Sequence, residues 1–324
     1  MITLDETEEI LISIYHIGYT LEGESILFIL HTSTKNVLYS LVIDCYDENC
    51  NETDKILSEW GLEEKVDLII WTHPHDDHSI GMDYIIKKYS NTSTKICTAN
   101  IFSDIDQYSE KCQKVINYLY LLNKGKKANN RRRINPLCHF PEKIDGLKFN
   151  GKNTIKEMEV LCIAPFPELG GMQGLNKSND ANKMGIACIV KIFLNSGPVN
   201  FMFAGDMDHA SIELLNNRAD EENIPRIYNY IKIPHHGSAN SSNMIDFLNS
   251  PECVKSECAT TSVFLKNNLP IAEVLQNYKK VTKEVVCTSD IVNKKHGIGI
   301  IHLEYNLNDL TVEKEYMGTA SAII

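Results

Sequence analysis

The sequence has no long hydrophobic run. No apolar stretch approaches the ~20 residues that a membrane-spanning helix needs. The segment Met1 to Ile10 has four acidic residues and no basic residue, whereas a secretory signal begins with basic residues and continues with an apolar segment. These absences argue against a membrane or secreted protein and predict a cytoplasmic one.

Cysteine pairs with the spacing of a metal or redox motif are also absent. The ten cysteines contain no Cys-x-x-Cys repeat, and the nearest pairs, Cys45 with Cys50 and Cys253 with Cys258, have four residues between them. A large chain without a secretory signal is not expected to rely on disulfides. We therefore expect free thiols that are mostly buried.

Positive charge is scarce, because 32 basic residues face 43 acidic ones and the formal net charge is −11. No overall basic field indicates a nucleic-acid-binding protein. This exclusion is weaker for a metal enzyme, whose carboxylate ligands count as negative until the cations are bound. The exception is the stretch 124–133, in which six of ten residues are basic. They are Lys124, Lys126, Lys127, Arg131, Arg132 and Arg133.

The hydrophobic pattern predicts one α/β domain over residues 1–324. Apolar residues make up 43% of the chain, enough for a substantial core, and no Pro- or Ser-rich linker divides it. Strands come first and then alternate with helices, twice, which predicts two sheets packed together with helices outside. The predicted strands are 9–16, 25–31, 37–43, 66–71, 159–164, 186–194, 199–204, 227–233, 261–264, 285–288, 298–304 and 310–313. The predicted helices are 52–60, 80–89, 105–122, 209–217, 244–248 and 271–278.

Residues 73–78 read His-Pro-His-Asp-Asp-His and follow the apolar strand Val66–Trp71. His73 and His75 are two apart, so in extended chain their side chains point the same way and can bind one ion. Asp77 and His78 lie where the strand must turn into the next helix, which lets both reach a second ion. Imidazoles with a minority of carboxylates are typical of zinc, with manganese and iron as alternatives.

Two later strands end in the same kind of side chain. The apolar run 201–204 leads into Gly205-Asp206, and a carboxylate at such a position can bridge two cations. The strand 227–233 leads into Pro234-His235-His236-Gly237-Ser238. Three strand ends that each deliver ligands predict one shared site.

The order of these motifs resembles the metallo-β-lactamase superfamily. The resemblance covers nearly the whole chain and rests on Asp44, residues 73–78, Asp206 and residues 235–238. The run Ile-Lys-Ile-Pro-His-His-Gly-Ser is similar to the hydrolase domain of the competence protein ComEC. Gly23-Glu24-Ser25 is like the Gly-Asp-Ser of that group, and Pro270 and His296-Gly297 also have counterparts there.

The resemblance implies an αββα sandwich of two mixed sheets flanked by helices, with two divalent metal ions at one edge. Expected ligands are His73 and His75 for the first ion and a bridging Asp206. Asp77, His78 and one of His235 and His236 would bind the second ion, and of these two histidines we favour His236. Asp77 would also orient the attacking water. His235 would donate a hydrogen bond to substrate. Asp44 would orient one of the ligands.

The remaining ligand of the first ion departs from the superfamily pattern. Most members supply a histidine between the first motif and the bridging aspartate, but the histidine found in that interval, His139, precedes the strand that it should follow. ComEC-like members often carry asparagine there. Asn182 or Asn179 falls in the right region, and we expect Asn182 in this role, with His139 as the alternative.

A dinuclear site of this kind hydrolyses several types of bond, so the substrate must be inferred from the surroundings. The basic stretch can guide a phosphate group, with Lys126, Lys127, Arg131 and Arg132 as candidate contacts, or it can be a solvated loop. Ser238, Asn240 and Ser241 can donate to phosphate oxygens or cap the helix that follows, and both roles can hold together.

We therefore predict a hydrolase or nuclease that acts on a phosphodiester, in a nucleic acid or a nucleotide-like molecule. The alternative is a hydrolase of a carbonyl substrate such as a lactone, a thioester or a β-lactam. A flavodiiron-type redox protein is disfavoured, because that group has glutamate where His75 stands. The sequence leaves the oligomeric state open, a homodimer included.

Overall fold

The computed structural model describes residues 2–4, 8–19, 23–46, 52–99, 105–124, 133–137, 140–151, 153–171, 178–249, 254–290 and 296–323. The strands are β1 (Ile2–Thr3), β2 (Ile10–Tyr19), β3 (Gly23–Thr32), β4 (Val37–Ile43), β5 (Leu68–Trp71), β6 (Lys95–Ala99), β7 (Arg133–Leu137), β8 (Glu142–Asn150), β9 (Ile155–Ala164), β10 (Ala187–Leu194), β11 (Gly197–Phe203), β12 (Tyr230–Lys232), β13 (Ser256–Thr261), β14 (Thr282–Cys287), β15 (Ile298–Asn306), β16 (Val312–Gly318) and β17 (Ser321–Ala322). The helices are α1 (Glu52–Glu59), α2 (Asp76–Ser79), α3 (Met82–Tyr89), α4 (Glu110–Asn123), α5 (Pro167–Gly171), α6 (His209–Arg218), α7 (Met244–Leu248) and α8 (Ala272–Val281).

The strands form two mixed sheets. The first has the order β16-β15-β2-β3-β4-β5-β6-β7 and the second β1-β8-β9-β10-β11-β12-β13-β14-β17. In the first sheet β16 to β4 are antiparallel neighbours and β4 to β7 are parallel. In the second sheet β8 to β11 are antiparallel and β11 to β14 are parallel. The prediction of an α/β fold with two mixed sheets is confirmed.

Alternating side chains place β3 between two cores. Ile26 and Phe28 join the apolar cluster shared by both sheets, and the rings of Phe28 and Phe201 in β11 have centroids 5.7 Å apart. Leu27 and Ile29 point the other way, into the cluster that includes α3 and α4. A strand covered on both faces is buried along its length, as β3 is, and its middle residues from Ile26 to Leu30 are all apolar. A third cluster packs α6, α7 and α8 on the second sheet, so the layers are compatible with an αββα sandwich.

The parallel strands bring the polar motifs to one edge. Carboxyl ends of neighbouring parallel strands lie together. In the first sheet β4 is followed by Asp44 and β5 by His73. In the second sheet Asp206 follows β11, His235 and His236 follow β12, and Ser262 follows β13.

The first half of the chain was predicted more accurately than its middle. The predicted antiparallel run β2-β3-β4 is confirmed, and β4 has its predicted bounds. Strands β6, β7 and β8 were missed. β7 is mostly exposed and contains Pro136, so it lacks the apolar alternation of a half-buried strand.

Several boundaries also differ from the prediction; α4, for example, begins at Glu110 and not at Ile105. The helix expected from Ile80 begins at Met82, because a one-turn helix, α2, comes first and Gly81 has a φ of +86° between them. The strand expected at 261–264 lies at Ser256–Thr261 instead.

Six cysteines, buried and not in disulfides, confirm the expectation of free thiols at their positions. They are Cys97, Cys112, Cys162, Cys188, Cys258 and Cys287. Cys50, Cys138 and Cys253 lie outside the described residues. In the part of the chain that the structure describes, no helix is long and apolar enough to cross a membrane.

Candidate metal centre

Four side chains from three strand ends converge at the common edge. His78 Nε2 lies 3.4 Å from Asp77 Oδ2 and 3.5 Å from Asp206 Oδ2. His236 Nε2 lies 3.3 Å and 3.8 Å from the same two oxygens. Ligand atoms of a tetrahedral zinc ion, with bonds of about 2.0–2.1 Å, are roughly 3.4 Å apart. The spacing therefore suits donors around one shared cation, and the buried His78 Nε2 has no hydrogen-bond partner within the described structure.

His78 is oriented from behind by Asp44. Asp44 Oδ2 lies 2.7 Å from His78 Nδ1. If Nδ1 carries the proton, its N–H donates a hydrogen bond to this carboxylate and the lone pair of Nε2 faces the cluster. Thr72 fixes Asp44 in turn, since its backbone N–H donates to Oδ1 at 2.7 Å and its hydroxyl donates to Oδ2 at 2.6 Å.

The turn after β12 aims His236 at the cluster. His235 and His236 have φ values of +49° and +50°, and Gly237 has +72°. Three successive residues in this region, which non-glycine residues rarely adopt, reverse the chain sharply. The ring of His236 is held by Ser262, whose Oγ lies 2.6 Å from Nδ1, and it stacks on Phe264 with centroids 5.0 Å apart.

His73 and His75 form a second group of donors beside the first. His73 Nε2 and His75 Nδ1 are 3.0 Å apart, and His73 Nε2 is 3.9 Å from Asp206 Oδ2. The same carboxylate oxygen thus lies within 3.9 Å of a ring nitrogen of His73, His78 and His236.

The cluster favours positive charge. Burial raises the pKa of Asp77 and of Asp206, but the nearby His78 outweighs it and both pKa values lie well below the ordinary range. Burial lowers the pKa of His78, but the two carboxylates raise it well above its usual value. His73 shows the reverse, since burial and the neighbouring imidazoles hold its pKa well below normal. Two carboxylates with so little contact with water need cationic partners.

The other predicted residues lie around this cluster in different ways. Asn182 Nδ2 lies 3.5 Å from His235 Nε2. Asn182 Oδ1, His235 Nδ1 and Ser238 Oγ are buried without a hydrogen-bond partner in the described structure. His235 Nε2 therefore contacts Asn182, whereas His236 Nε2 contacts Asp77 and Asp206. Ser241 braces the turn, because its hydroxyl donates to the carbonyl of Pro234 at 3.0 Å.

The predicted basic phosphate contacts and the two alternative metal ligands fall outside the described part of the chain. Lys126, Lys127, Arg131, Arg132 and His139 lie outside the described residues, as does the side chain of Asn179. Of the basic stretch the structure describes its ends, Lys124 after α4 and the exposed Arg133 at the start of β7. The proposed phosphate guide therefore stays a sequence prediction.

A cleft of about 330 Å³ opens beside the cluster. Its lining includes His75, Asp76 and Asp77. Tyr108, Phe264 and Lys266 also line it, with two aromatic rings and an ammonium group. A small molecule or part of a larger one can thus reach the candidate ligands.

Two residues of the site were missed by the sequence analysis as functional residues. Glu24 places a carboxylate oxygen within 4.8 Å of ligand atoms of His78, Asp206 and His236. Lys232, with no exposed surface, contacts both Glu24 and Asp206. The sequence does carry a signal for Lys232. It lies in the otherwise apolar run 230–233, where a charge is costly unless it is paired.

No known protein-family profile matches the chain, and no curated protein matches it. The site's own geometry therefore carries the functional inference.

Proposed function

We propose that the chain is a metal-dependent hydrolase with the metallo-β-lactamase fold, most similar to the ComEC-like group, and that it cleaves phosphodiesters. The observation that carries this proposal is the convergence of Asp77, His78, Asp206 and His236, whose ring nitrogens and carboxylate oxygens lie 3.3 to 3.8 Å apart. Hydrogen bonding alone would not require two imidazoles and two carboxylates from three strand ends to meet in this way.

The residues fit a pair of divalent ions, with zinc expected and manganese as the alternative. Asp77, His78 and His236 would hold one ion, His73 and His75 the other, and Asp206 would bridge them. Asn182 is the proposed further ligand of the first ion, because its Oδ1 is buried without a partner in the described structure. Such ions, when bound, supply Lewis acidity and lower the pKa of a water molecule.

The chain's own groups would then position the reactants. Asp77 lines the cleft, so its carboxylate can accept a hydrogen bond from the attacking water and orient it. His235 has an unpartnered Nδ1 within the described structure and is the proposed donor to a substrate oxygen. Asp44 acts through His78 by fixing its ring.

Three side chains of the cleft support a phosphodiester substrate. Lys266 can pair with a phosphate group, and the rings of Tyr108 and Phe264 can stack on a base. A volume of about 330 Å³ lies at the small end of the range for ligand pockets, which suits one nucleotide unit or the end of a strand.

Elemental analysis followed by parallel assays tests the proposal. The purified protein is expected to retain zinc or manganese, and to hydrolyse bis(p-nitrophenyl) phosphate or single-stranded DNA in preference to a lactone and a cephalosporin. Asp77→Ala should abolish turnover. Asp246→Ala, at an exposed aspartate of α7, is the matched control and should leave turnover unchanged.

The outcomes separate the alternatives. Turnover of only the lactone or the cephalosporin would make the chain a hydrolase of carbonyl substrates and overturn the phosphodiester assignment. Protein that binds neither metal, even after incubation with both, and that hydrolyses none of the substrates would overturn the hydrolase proposal itself.

A further inference from the structure

A fully buried lysine lies directly behind the candidate metal ligands. Lys232 Nζ is 2.6 Å from Glu24 Oε1, 3.3 Å from Asp206 Oδ1 and 2.7 Å from the carbonyl oxygen of Gly205. The amino group thus has three acceptors, two of them carboxylate oxygens, which is what a buried cation requires.

Glu24 connects this lysine to a second ligand. Its Oε1 accepts from Lys232, and its Oε2 accepts from the hydroxyl of Ser262 at 2.5 Å. The Ser262 Oγ is in turn 2.6 Å from Nδ1 of His236. His16 Nε2 lies 3.2 Å from the same Glu24 oxygen. Because both oxygens already have partners, Glu24 is better placed to support the ligands than to bind a metal itself.

Glu24 thus connects to Asp206 through Lys232 and to His236 through Ser262, and both connections cross from one sheet to the other. Glu24 belongs to β3 of the first sheet, whereas Asp206 and His236 follow β11 and β12 of the second. Lys232 engages Oδ1 of Asp206, and Oδ2 is the oxygen that faces His73, His78 and His236.

We infer that Glu24 and Lys232 are positioning residues, which hold Asp206 and His236 of the second sheet in register with the histidines of the first. The inference rests on the proposed function, because it assigns these residues a role in metal binding. Supporting partners of this kind typically contribute a factor of about 10–100 to metal affinity or activity.

Three variants and one control test the inference. Lys232→Met and Glu24→Gln each remove one charge of the buried pair, and the double variant removes both, which restores the net charge. Lys191→Met is the control, because Lys191 in β10 of the same sheet also donates to a backbone carbonyl, that of Asn223, at 3.0 Å. The readouts are the melting temperature of the metal-free protein, zinc affinity by chelator competition, and kcat with KM for bis(p-nitrophenyl) phosphate.

We expect each single variant to lower both the melting temperature and the zinc affinity, the affinity by about 10–100-fold. The double variant should recover most of the melting temperature, because no unpaired charge stays buried. It should nevertheless keep the weak zinc affinity and a reduced kcat, with KM near that of the wild type. The Lys191→Met control should keep wild-type affinity.

A double variant that regains wild-type zinc affinity and kcat would reduce Glu24 and Lys232 to a structural charge pair and overturn the inference. Single variants with unchanged affinity would overturn it as well. In both cases the wild type still binds metal and the proposed function stands. A wild type that binds no metal would overturn both.

Discussion

At the scale of single residues, the orientation of His78 depends on one hydrogen bond. A neutral imidazole binds metal through the nitrogen that lacks a proton, and the partner of the other nitrogen selects the tautomer. Asp44 is that partner, at 2.7 Å, and it is buried. Its own position is set by the two donors of Thr72.

Asp44→Asn should therefore weaken metal binding, although it hardly changes the volume of the side chain. The amide of asparagine can turn its N–H groups towards His78 Nδ1, which would then favour the proton on Nε2, the nitrogen that faces the cluster. We expect zinc affinity to fall by about 10–100-fold, measured by chelator competition. Asp67→Asn is the control, since Asp67 in the same half of the chain also accepts from two donors, both of Ser40. Equal losses in the two variants would contradict the orienting role of Asp44.

The two adjacent histidines of the Pro234–Gly237 turn should behave differently. His236 Nε2 lies 3.3 Å from Asp77, whereas His235 Nε2 faces Asn182. We expect His236→Ala to lose one of the two bound metal ions, and His235→Ala to keep both and lose turnover. Elemental analysis and kcat on the same preparations measure this. His209→Ala, an exposed histidine of α6, is the control. Metal loss in His235→Ala alone would reverse the assignment.

At the scale of elements, the ends of strands matter more than their interiors. Gly205, between β11 and Asp206, has a φ of +52°, and a Cβ built on it would lie 2.6 Å from the carbonyl oxygen of Ile186. Its own carbonyl oxygen accepts from Lys232 and from the backbone of His235. This glycine lets three neighbouring segments approach closely at the site.

Gly205→Ala should lower both stability and metal affinity. A left-handed alanine costs roughly 1–2 kcal/mol, and displacement of a packed neighbour adds about 1–3 kcal/mol. We expect the free energy of unfolding to fall by about 3 kcal/mol in denaturant titrations, with weaker zinc binding. Gly61→Ala is a matched control, because Gly61 has a φ of +64° and an added Cβ would meet nothing within 4 Å. It should lose about 1 kcal/mol and keep wild-type zinc affinity; equal effects in both variants would contradict the crowding at Gly205.

The elements that sequence patterns predict best are those with strong periodicity. Strands β2 to β4, β10 and β11 were foreseen because apolar residues dominate them. The one-turn helix α2 was not, since it is short and its residues are those of the ligand motif. Because the chain turns at α2, His78 lies near Asp206 and Asp77 lies near His236, with His73 and His75 beside them.

At the scale of the whole molecule, the candidate site depends on how two sheets meet. The motif at 73–78 and the strand ends at Asp206 and His236 are visible in the sequence, so a shared site could be predicted. The support that Glu24 gives to Lys232 and Ser262 could not, because these residues are 208 and 238 positions away from it. Contacts of that separation depend on the register between the sheets, which local patterns do not specify.

Because both sheets supply candidate ligands, bound metal should stabilise the whole fold. A ligand that binds only the folded state adds about 2.7 kcal/mol when its free concentration is about 100 times its Kd. We expect chelation to lower the melting temperature in differential scanning calorimetry, and added zinc to restore it. The doubly substituted Asp77→Asn/His236→Ala protein is the control, and its melting temperature should respond much less to either treatment. An equal response of the wild type and this variant would mean that zinc acts elsewhere, and that the two sheets are held together without it.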